Sequence, residues 1–513
     1  MRADGLTGSV ISGIRWSAAS RLAAQGLSWA IALIVVRLLA PRDYGLATQA
    51  GIVVGYLNLI GELGLSAGLI QKRVTDRQTL EKVFAALLVG GVAAFFVLFA
   101  AASMVAEFFR EPSLTRLVRI AATQFLTLPF AVIPQARLSI ALRFRELGLV
   151  AIVSNVTGAV ATLCLAYKGF GAASLVIGAT MIAVSRAVAL NAFDGFVALP
   201  SFRWNDLAPL FGISGTVLLD RTFWYAYVQA DSTLIGRMLG ARSLGIYSIA
   251  MQLTSIPLER ASQVISTVAL PAFSSINDRP EMVAAGYMKA FRLGSALSFP
   301  IYWGLALVAP DLILPAFGSR WATVIPILQI LSFSMPLKAL GPIASPALTA
   351  IGRPGISVRI LLWGLCVLPV MIAVGTHWGI AGAAVGWTCA APIIFLIAAY
   401  YVSSTLKIPI RSMVRALRAP ALSAACMSVV VAGSQIMLRS LTAVPRLALC
   451  TAIGAISYVV IFRLIGPSQS LEVLQFARNL MPGTRRRAAA DIQELPTIAH
   501  STNPEHGSTD PRT

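Results

Sequence analysis

The chain has 513 residues, of which 57% are apolar and 12% charged, and a formal net charge of +20. That balance excludes an ordinary soluble domain. It also argues against a nucleic-acid partner, because the Lys and Arg residues sit at the ends of apolar runs and form no basic domain.

In chain order, about fourteen apolar stretches each reach the roughly 20 residues that cross a bilayer as a helix. The predicted helices centre on 13–40, 45–70, 81–106, 114–138, 147–167, 171–194, 207–237, 243–272, 283–309, 323–350, 355–375, 379–403, 415–438 and 444–465. The first carries Arg15, Arg21 and Gln25 and is too long for a cleaved signal peptide, so it reads as an uncleaved membrane helix. The break at Asp194–Asp206 divides six helices from the rest. Interior prolines such as Pro257, Pro300, Pro336 and Pro342 permit kinks, although membrane helices commonly tolerate them. After Gly466 the composition turns polar. Leu471–Leu480 reads as one amphipathic helix, Arg485–Arg487 as a basic cluster and 488–513 as a disordered tail.

Five cysteines (Cys164, Cys366, Cys389, Cys426, Cys450) stand singly in apolar segments without CxxC spacing, so neither a disulfide nor a metal is expected. Of three histidines, His500 and His506 lie in the tail and His377 stands alone, which disfavours histidine chemistry. No cofactor is expected. Lys and Arg favour the loops that face the cytoplasm when the N-terminus does, among them Lys72, Arg73, Arg143, Arg145, Arg411 and Arg418. Both termini are therefore expected inside.

A shift of 200 residues lays Arg21 on Arg221, Arg37 on Arg237, Leu39 on Leu239, Arg42 on Arg242 and Gly45 on Gly245; a shift of 210 lays Leu138 on Leu348 and Arg143 on Arg353. Six helices separate the copies, so both halves insert with the same orientation, about an axis along the membrane normal. The expectation is an all-α polytopic membrane protein with an N-terminal six-helix lobe (1–200), a C-terminal six-helix lobe (201–410) and a central cavity between them. An additional helix pair (411–466) and a cytoplasmic tail (467–513), largely disordered, complete it.

Three groups of residues carry a family resemblance. They are Leu39-Ala-Pro-Arg-Asp-Tyr-Gly45 with Gly64-Leu-Ser-Ala-Gly-Leu-Ile-Gln71, then Ala136-Arg-Leu138 with Arg143-Phe-Arg-Glu-Leu147, and Phe317-Gly-Ser-Arg-Trp321 with Pro326-Ile-Leu-Gln329. In order and spacing they resemble the Wzx-type polysaccharide flippases of the multidrug/oligosaccharidyl-lipid/polysaccharide exporter superfamily, most of all the subgroup like colanic-acid exporters. The resemblance implies a bacterial inner-membrane transporter, not an enzyme. Its cargo would be undecaprenyl-diphosphate-linked oligosaccharide for exopolysaccharide or lipopolysaccharide biosynthesis. It would work by alternating access, in at least some cases coupled to a cation gradient, beside the polymerase and co-polymerase of the pathway. A multidrug exporter, a lipid II exporter and a membrane polysaccharide polymerase or ligase are the alternatives. A cationic cavity disfavours the first, the quoted motifs the second, and the lack of a large loop the third.

Ionisable groups at membrane depth need a cavity or a partner. Arg21 and Arg221 occupy equivalent repeat positions, and their guanidinium groups would suit a diphosphate, with Arg15 as an entry point. The alternative for these arginines is snorkelling or pairing with Asp220. Asp220, Trp224, Tyr227 and Asp231 fall on one helical stripe that would stack sugar rings and accept hydroxyl hydrogen bonds, or would simply pack. Asp220, Asp231, Glu62 and Glu259 are the candidate ion-coupling carboxylates.

Overall fold

The structure, a computed structural model, describes residues 26, 28, 30–61, 68–70, 72–195, 200–202, 208–274 and 280–480. Within them the side chains of 60–61, 208–220, 258–274, 280 and 477–480 lie outside that description. Among the described residues there are helices, 3-10 turns and loops, and no strand. Nine helical stretches among these residues are long and apolar enough to cross a membrane. The chain is an all-α, multi-pass membrane protein.

A helical segment at 30–38 leads into α1 (Pro41–Gly61), followed by α2 (Arg77–Phe109) and α3 (Leu114–Ile140), the last interrupted by a 3-10 stretch at Thr123–Thr127. Then come α4 (Phe144–Tyr167), α5 (Ala172–Asp194) and the long α6 (Ala208–Ser274). The second half continues with α7 (Pro280–Phe317), α8 (Val324–Ala350), α9 (Gly355–Gly375) and α10 (Gly379–Leu406). α11 (Ile410–Met437), α12 (Ala443–Ile465) and α13 (Pro467–Leu480) close the chain.

Local chemistry sets many of these ends. Pro41 opens α1, where its missing N–H costs nothing. Asp43, in its first turn, reaches back to accept from the Ala40 N–H at 3.0 Å, while its other oxygen accepts from the Ala172 N–H at 3.0 Å and so ties the starts of α1 and α5. Asp76 caps α2 by accepting from the Thr79 N–H (2.9 Å) and hydroxyl (3.0 Å), bonds that hold its carboxyl below the usual carboxylate range.

One predicted boundary differs. Helices 207–237 and 243–272 run on as α6, parted by one non-helical residue, Gly240, at φ 79° and ψ 176°. That conformation is open to glycine and strained for any residue with a Cβ. Gly240→Ala is expected to cost about 1–3 kcal/mol, read as a lower melting temperature of the purified protein. The predicted 45–70 helix is described as helix up to Gly61 in α1 and again at 68–70, and 62–67 lie outside the described residues.

The largest apolar cluster joins α6, α7, α8 and α10 around Tyr247, Tyr302, Trp321 and Trp387. A second joins α1, α2, α3 and α5 around Phe109 and Phe125. Large apolar side chains such as Phe96, Met104, Phe333 and Val429 point outward, as expected where the surroundings are lipid.

Candidate functional site

Of the predicted site residues, Arg15, Arg21 and Glu62 lie outside the described residues, and Asp220 and Glu259 are described only as backbone of α6. The side chains of Arg221, Trp224, Tyr227 and Asp231 are placed, and they meet different surroundings. Arg221 is exposed and Trp224 is 57% exposed. Tyr227 turns inward against α9, where a Cβ on Gly364 would lie 2.8 Å from its ring. Asp231 is 3% exposed.

Asp231 is held from three sides. Its Oδ2 accepts from the Tyr247 hydroxyl at 2.7 Å and from the Trp387 indole N–H at 3.0 Å, and its Oδ1 accepts from the Ser232 N–H at 2.5 Å and hydroxyl at 3.1 Å. Tyr247 comes from the second limb of α6 and Trp387 from α10, so one carboxylate stitches three helical segments. Lys338 of α8 places its ammonium 4.4 Å from the centre of the Trp387 ring, a cation–π contact, within electrostatic reach of Asp231. The result is a buried polar cluster inside the second half of the molecule. Lys338, Tyr247 and Trp387 are members that sequence reasoning missed. The signal for Lys338 was there: it is a lone cation inside the apolar run 323–350.

The residues paired by the 200-residue shift meet face to face. A Cβ on Gly45 would overlap the Ala241 carbonyl oxygen, and a Cβ on Gly245 would overlap the Pro41 carbonyl oxygen. Position 41 shifted by 200 is 241, so the two contacts are reciprocal, as across a two-fold axis. The arginines follow suit. Arg37 donates from Nε to the Ala316 carbonyl at 2.8 Å and from Nη2 to the Pro315 carbonyl, at the end of α7. Arg237 lies 5.3 Å from the centre of the Phe108 ring, at the end of α2. Trp321 adds a hydrogen bond from its indole N–H to the Val36 carbonyl (3.0 Å) and an edge contact with Tyr44. Gln49 donates to the Gly236 carbonyl at 3.3 Å.

A third feature lies away from both. An apolar groove of about 680 Å³ runs between the second limb of α6, α7, α11, α12 and α13, lined by residues that include Leu253, Pro300, Met427, Gly454 and Tyr458. Among the described residues, Arg463 is the one charged member of its lining. Ion pairs tie the groove's walls at either end. Arg446 of α12 grips Asp311 of α7 with its Nε 3.0 Å from both carboxylate oxygens, and Arg292 of α7 grips Glu472 of α13. The Tyr458 hydroxyl donates to the Ala296 carbonyl at 2.7 Å between them. Lining made almost wholly of hydrocarbon suits a lipid chain and offers nothing to a hydrophilic solute.

A family profile described as "Polysaccharide biosynthesis protein" matches residues 34–326. The chain is 24% identical over 492 residues to the teichuronic acid biosynthesis protein TuaB of Bacillus subtilis, covering 92% of this chain and 99% of that one. It is 26% identical over 501 residues to the succinoglycan biosynthesis transport protein ExoT of Rhizobium meliloti, covering 94% and 98%. It is 22% identical over 395 residues to the lipopolysaccharide biosynthesis protein WzxC of Escherichia coli, covering 76% and 80%. Among solved structures, the lipid II flippase MurJ in an inward closed conformation superposes with a TM-score of 0.69 at 15% identity, over 86% of this chain and 98% of that one. An inward-facing multidrug resistance MATE transporter gives 0.59 at 16% identity, over 76% and 99%. At such identities the structures speak for a shared fold.

Proposed function

The chain belongs to the polysaccharide biosynthesis protein family, and from that membership we propose that it flips undecaprenyl-diphosphate-linked oligosaccharide across the bacterial inner membrane. It acts as a transporter and not as an enzyme, with both termini in the cytoplasm and the polymerase and co-polymerase of its pathway as partners. The observation that carries the lipid-linked cargo is the apolar groove with Arg463 in its lining, since a hydrocarbon channel with a cationic group fits an anionic lipid better than a free sugar or an organic cation.

In this reading residues 1–200 and 201–410 are the two lobes, and the reciprocal contacts around Gly45 and Gly245 form the closed gate at one end of a central cavity. Alternating access is the opening of that gate with closure of the other end. Arg15, Arg21 and Arg221 take the diphosphate inside the cavity, and exposed Trp224 offers a face on which a sugar ring stacks. Tyr227 closes the same helix face nearer the core. Asp220, Glu62 and Glu259 remain candidate coupling carboxylates. Asp231 has the strongest support for that role, being a buried carboxyl placed near the Lys338 side chain.

The test is reconstitution in proteoliposomes with lipid-linked oligosaccharide and a probe that reaches one leaflet. Wild-type protein is expected to transfer the lipid, and Arg221→Ala to slow transfer roughly tenfold or more while still inserting, because loss of a charge-assisted contact to phosphate costs about 1.5–3 kcal/mol. Transfer at the wild-type rate by Arg221→Ala would remove that residue from the site. No transfer by folded wild-type protein would overturn the function.

A further inference from the structure

The α13 end of the groove carries charge that the central cavity does not use. There the Arg292 guanidinium holds Glu472 as a two-pronged fork, Nε to Oε2 at 2.8 Å and Nη2 to Oε1 at 3.1 Å. Both side chains stay about a third accessible, at 28% and 35%. The residues flanking this pair line the groove: Ala296, one turn beyond Arg292 on α7, and Val473 and Leu474, next to Glu472 on α13. The pair therefore stands across the mouth of the groove. Arg463 enters the lining at the same end and has neither a hydrogen bond nor an ion pair among the described residues. On α11, Ala419 packs against Gly466 at 2.8 Å from where its Cβ would be, which brings exposed Arg415 and Arg418 to this level. Lys289 lies one turn before Arg292 on α7 and is also exposed. Among the described side chains at this level, Glu472 is thus a single acid set among several bases.

We propose that this mouth is a binding site for the diphosphate of a polyprenyl lipid, in which Glu472 is a resident anion that the diphosphate displaces from Arg292. This rests on the reading of the cargo as lipid-linked. The fork that accepts two carboxylate oxygens accepts two phosphate oxygens with the same geometry. A partly exposed ion pair is a weak tie, so a ligand of higher charge exchanges for it readily. Arg463, exposed in the lining, is the second ligand. The groove takes the chain: from Ala296 to Leu312 along α7 it runs roughly 24 Å at 1.5 Å per residue. One such channel seats a single-tailed polyprenyl lipid, whereas a two-tailed phospholipid would leave a chain outside. Release of Glu472 also frees the Val473–Leu474 edge of α13, so arrival of the headgroup and opening of the mouth are one event.

The experiment measures binding of undecaprenyl diphosphate, without sugar, to the full chain in phosphatidylcholine nanodiscs. Arg463→Gln and Arg292→Gln are expected to weaken binding roughly tenfold. Glu472→Gln is expected to strengthen it several-fold, since it removes the competitor and leaves both bases. Undecaprenol, with the same tail and no phosphate, should bind weakly and equally to all forms. Unchanged or weaker binding by Glu472→Gln would overturn the displacement, and equal, equally responsive binding of phosphatidylglycerol would overturn the polyprenyl assignment in favour of a general anionic-lipid site. Because Arg463 and Glu472 are accessible, their variants should keep the wild-type melting temperature. An Arg463→Gln variant that does not is replaced by Arg463→Lys, which should retain most of the affinity, and a Glu472→Gln variant that does not is replaced by Glu472→Ala, which should likewise strengthen binding. The transport reading fails separately: it falls if wild-type protein binds as expected but flips nothing in proteoliposomes.

Discussion

Valine at Gly45 or at Gly245 is expected to abolish transport while leaving expression and membrane insertion intact. Each glycine packs against a backbone carbonyl of the opposite half, Ala241 for Gly45 and Pro41 for Gly245, with no room for even a Cβ. A backbone atom has no rotamer through which to yield, so relief comes only when the halves part. Overpacking of this kind costs about 1–3 kcal/mol in ordinary cores, and the same difference applied to a gate shifts its closed-to-open ratio by roughly 5–150-fold. The shift would hold the molecule open on this side. Maleimide labelling reads that directly at Gln49→Cys in a background without native cysteines, because the Gln49 side chain is fully buried and donates to the Gly236 carbonyl. Labelling should be slow with Gly45 in place and fast with valine there. Transport at the wild-type rate by either valine variant, or slow labelling in both, would show that the contact is not a gate.

These contacts also explain why short motifs were informative in a chain so apolar. In the motif Leu39–Gly45, Pro41 starts α1, Asp43 ties α1 to α5 and Gly45 allows the halves to touch. In Phe317–Trp321, Gly318 turns at φ 90° and Trp321 buries its ring while bonding the Val36 carbonyl. Within Arg143–Leu147, Arg143 pairs with Glu146 at 3.0 Å across the start of α4. Such positions are constrained by turns and by contacts between halves, where few residue types serve. The intervening helix faces need only be apolar, so they carry little pattern.

For the same reason helix positions were legible and the site was only partly so. Length and hydropathy locate a crossing, and caps such as Asp76 or the left-handed Arg110 are local events. The joining of 207–237 to 243–272 through Gly240 was hidden, because a single glycine reads as a loop as easily as a kink. Helical spacing placed Trp224, Tyr227 and Asp231 on one stripe, yet spacing says nothing of what covers each turn. Trp224 is exposed, Tyr227 meets α9 and Asp231 meets α10. The groove was invisible for a further reason. Its walls are mostly apolar residues from five helical segments, each unremarkable in its own helix.

The second large effect is expected at Asp231, where alanine and asparagine should part company. Asp231→Ala leaves the Tyr247 hydroxyl and the Trp387 indole N–H buried without an acceptor, at about 1–3 kcal/mol each. A fall of several kcal/mol in stability should follow, seen as a large drop in melting temperature or loss of folded protein. Asp231→Asn keeps a carbonyl oxygen with two lone pairs for both donors, so most of that stability should remain. What it loses is the negative charge beside Lys338. If Asp231 serves coupling, the asparagine variant should fold and still bind cargo, but its transport should no longer respond to an imposed cation gradient. If Asp231 is only a brace between α6 and α10, the response should be unchanged. Lys338→Met added to Asp231→Asn distinguishes the two further. It should restore stability lost through an uncompensated ammonium, and a double-mutant cycle measures that coupling, whereas it should not restore the gradient response. Gradient-dependent transport by Asp231→Asn at the wild-type level would therefore return the cluster to a purely structural role.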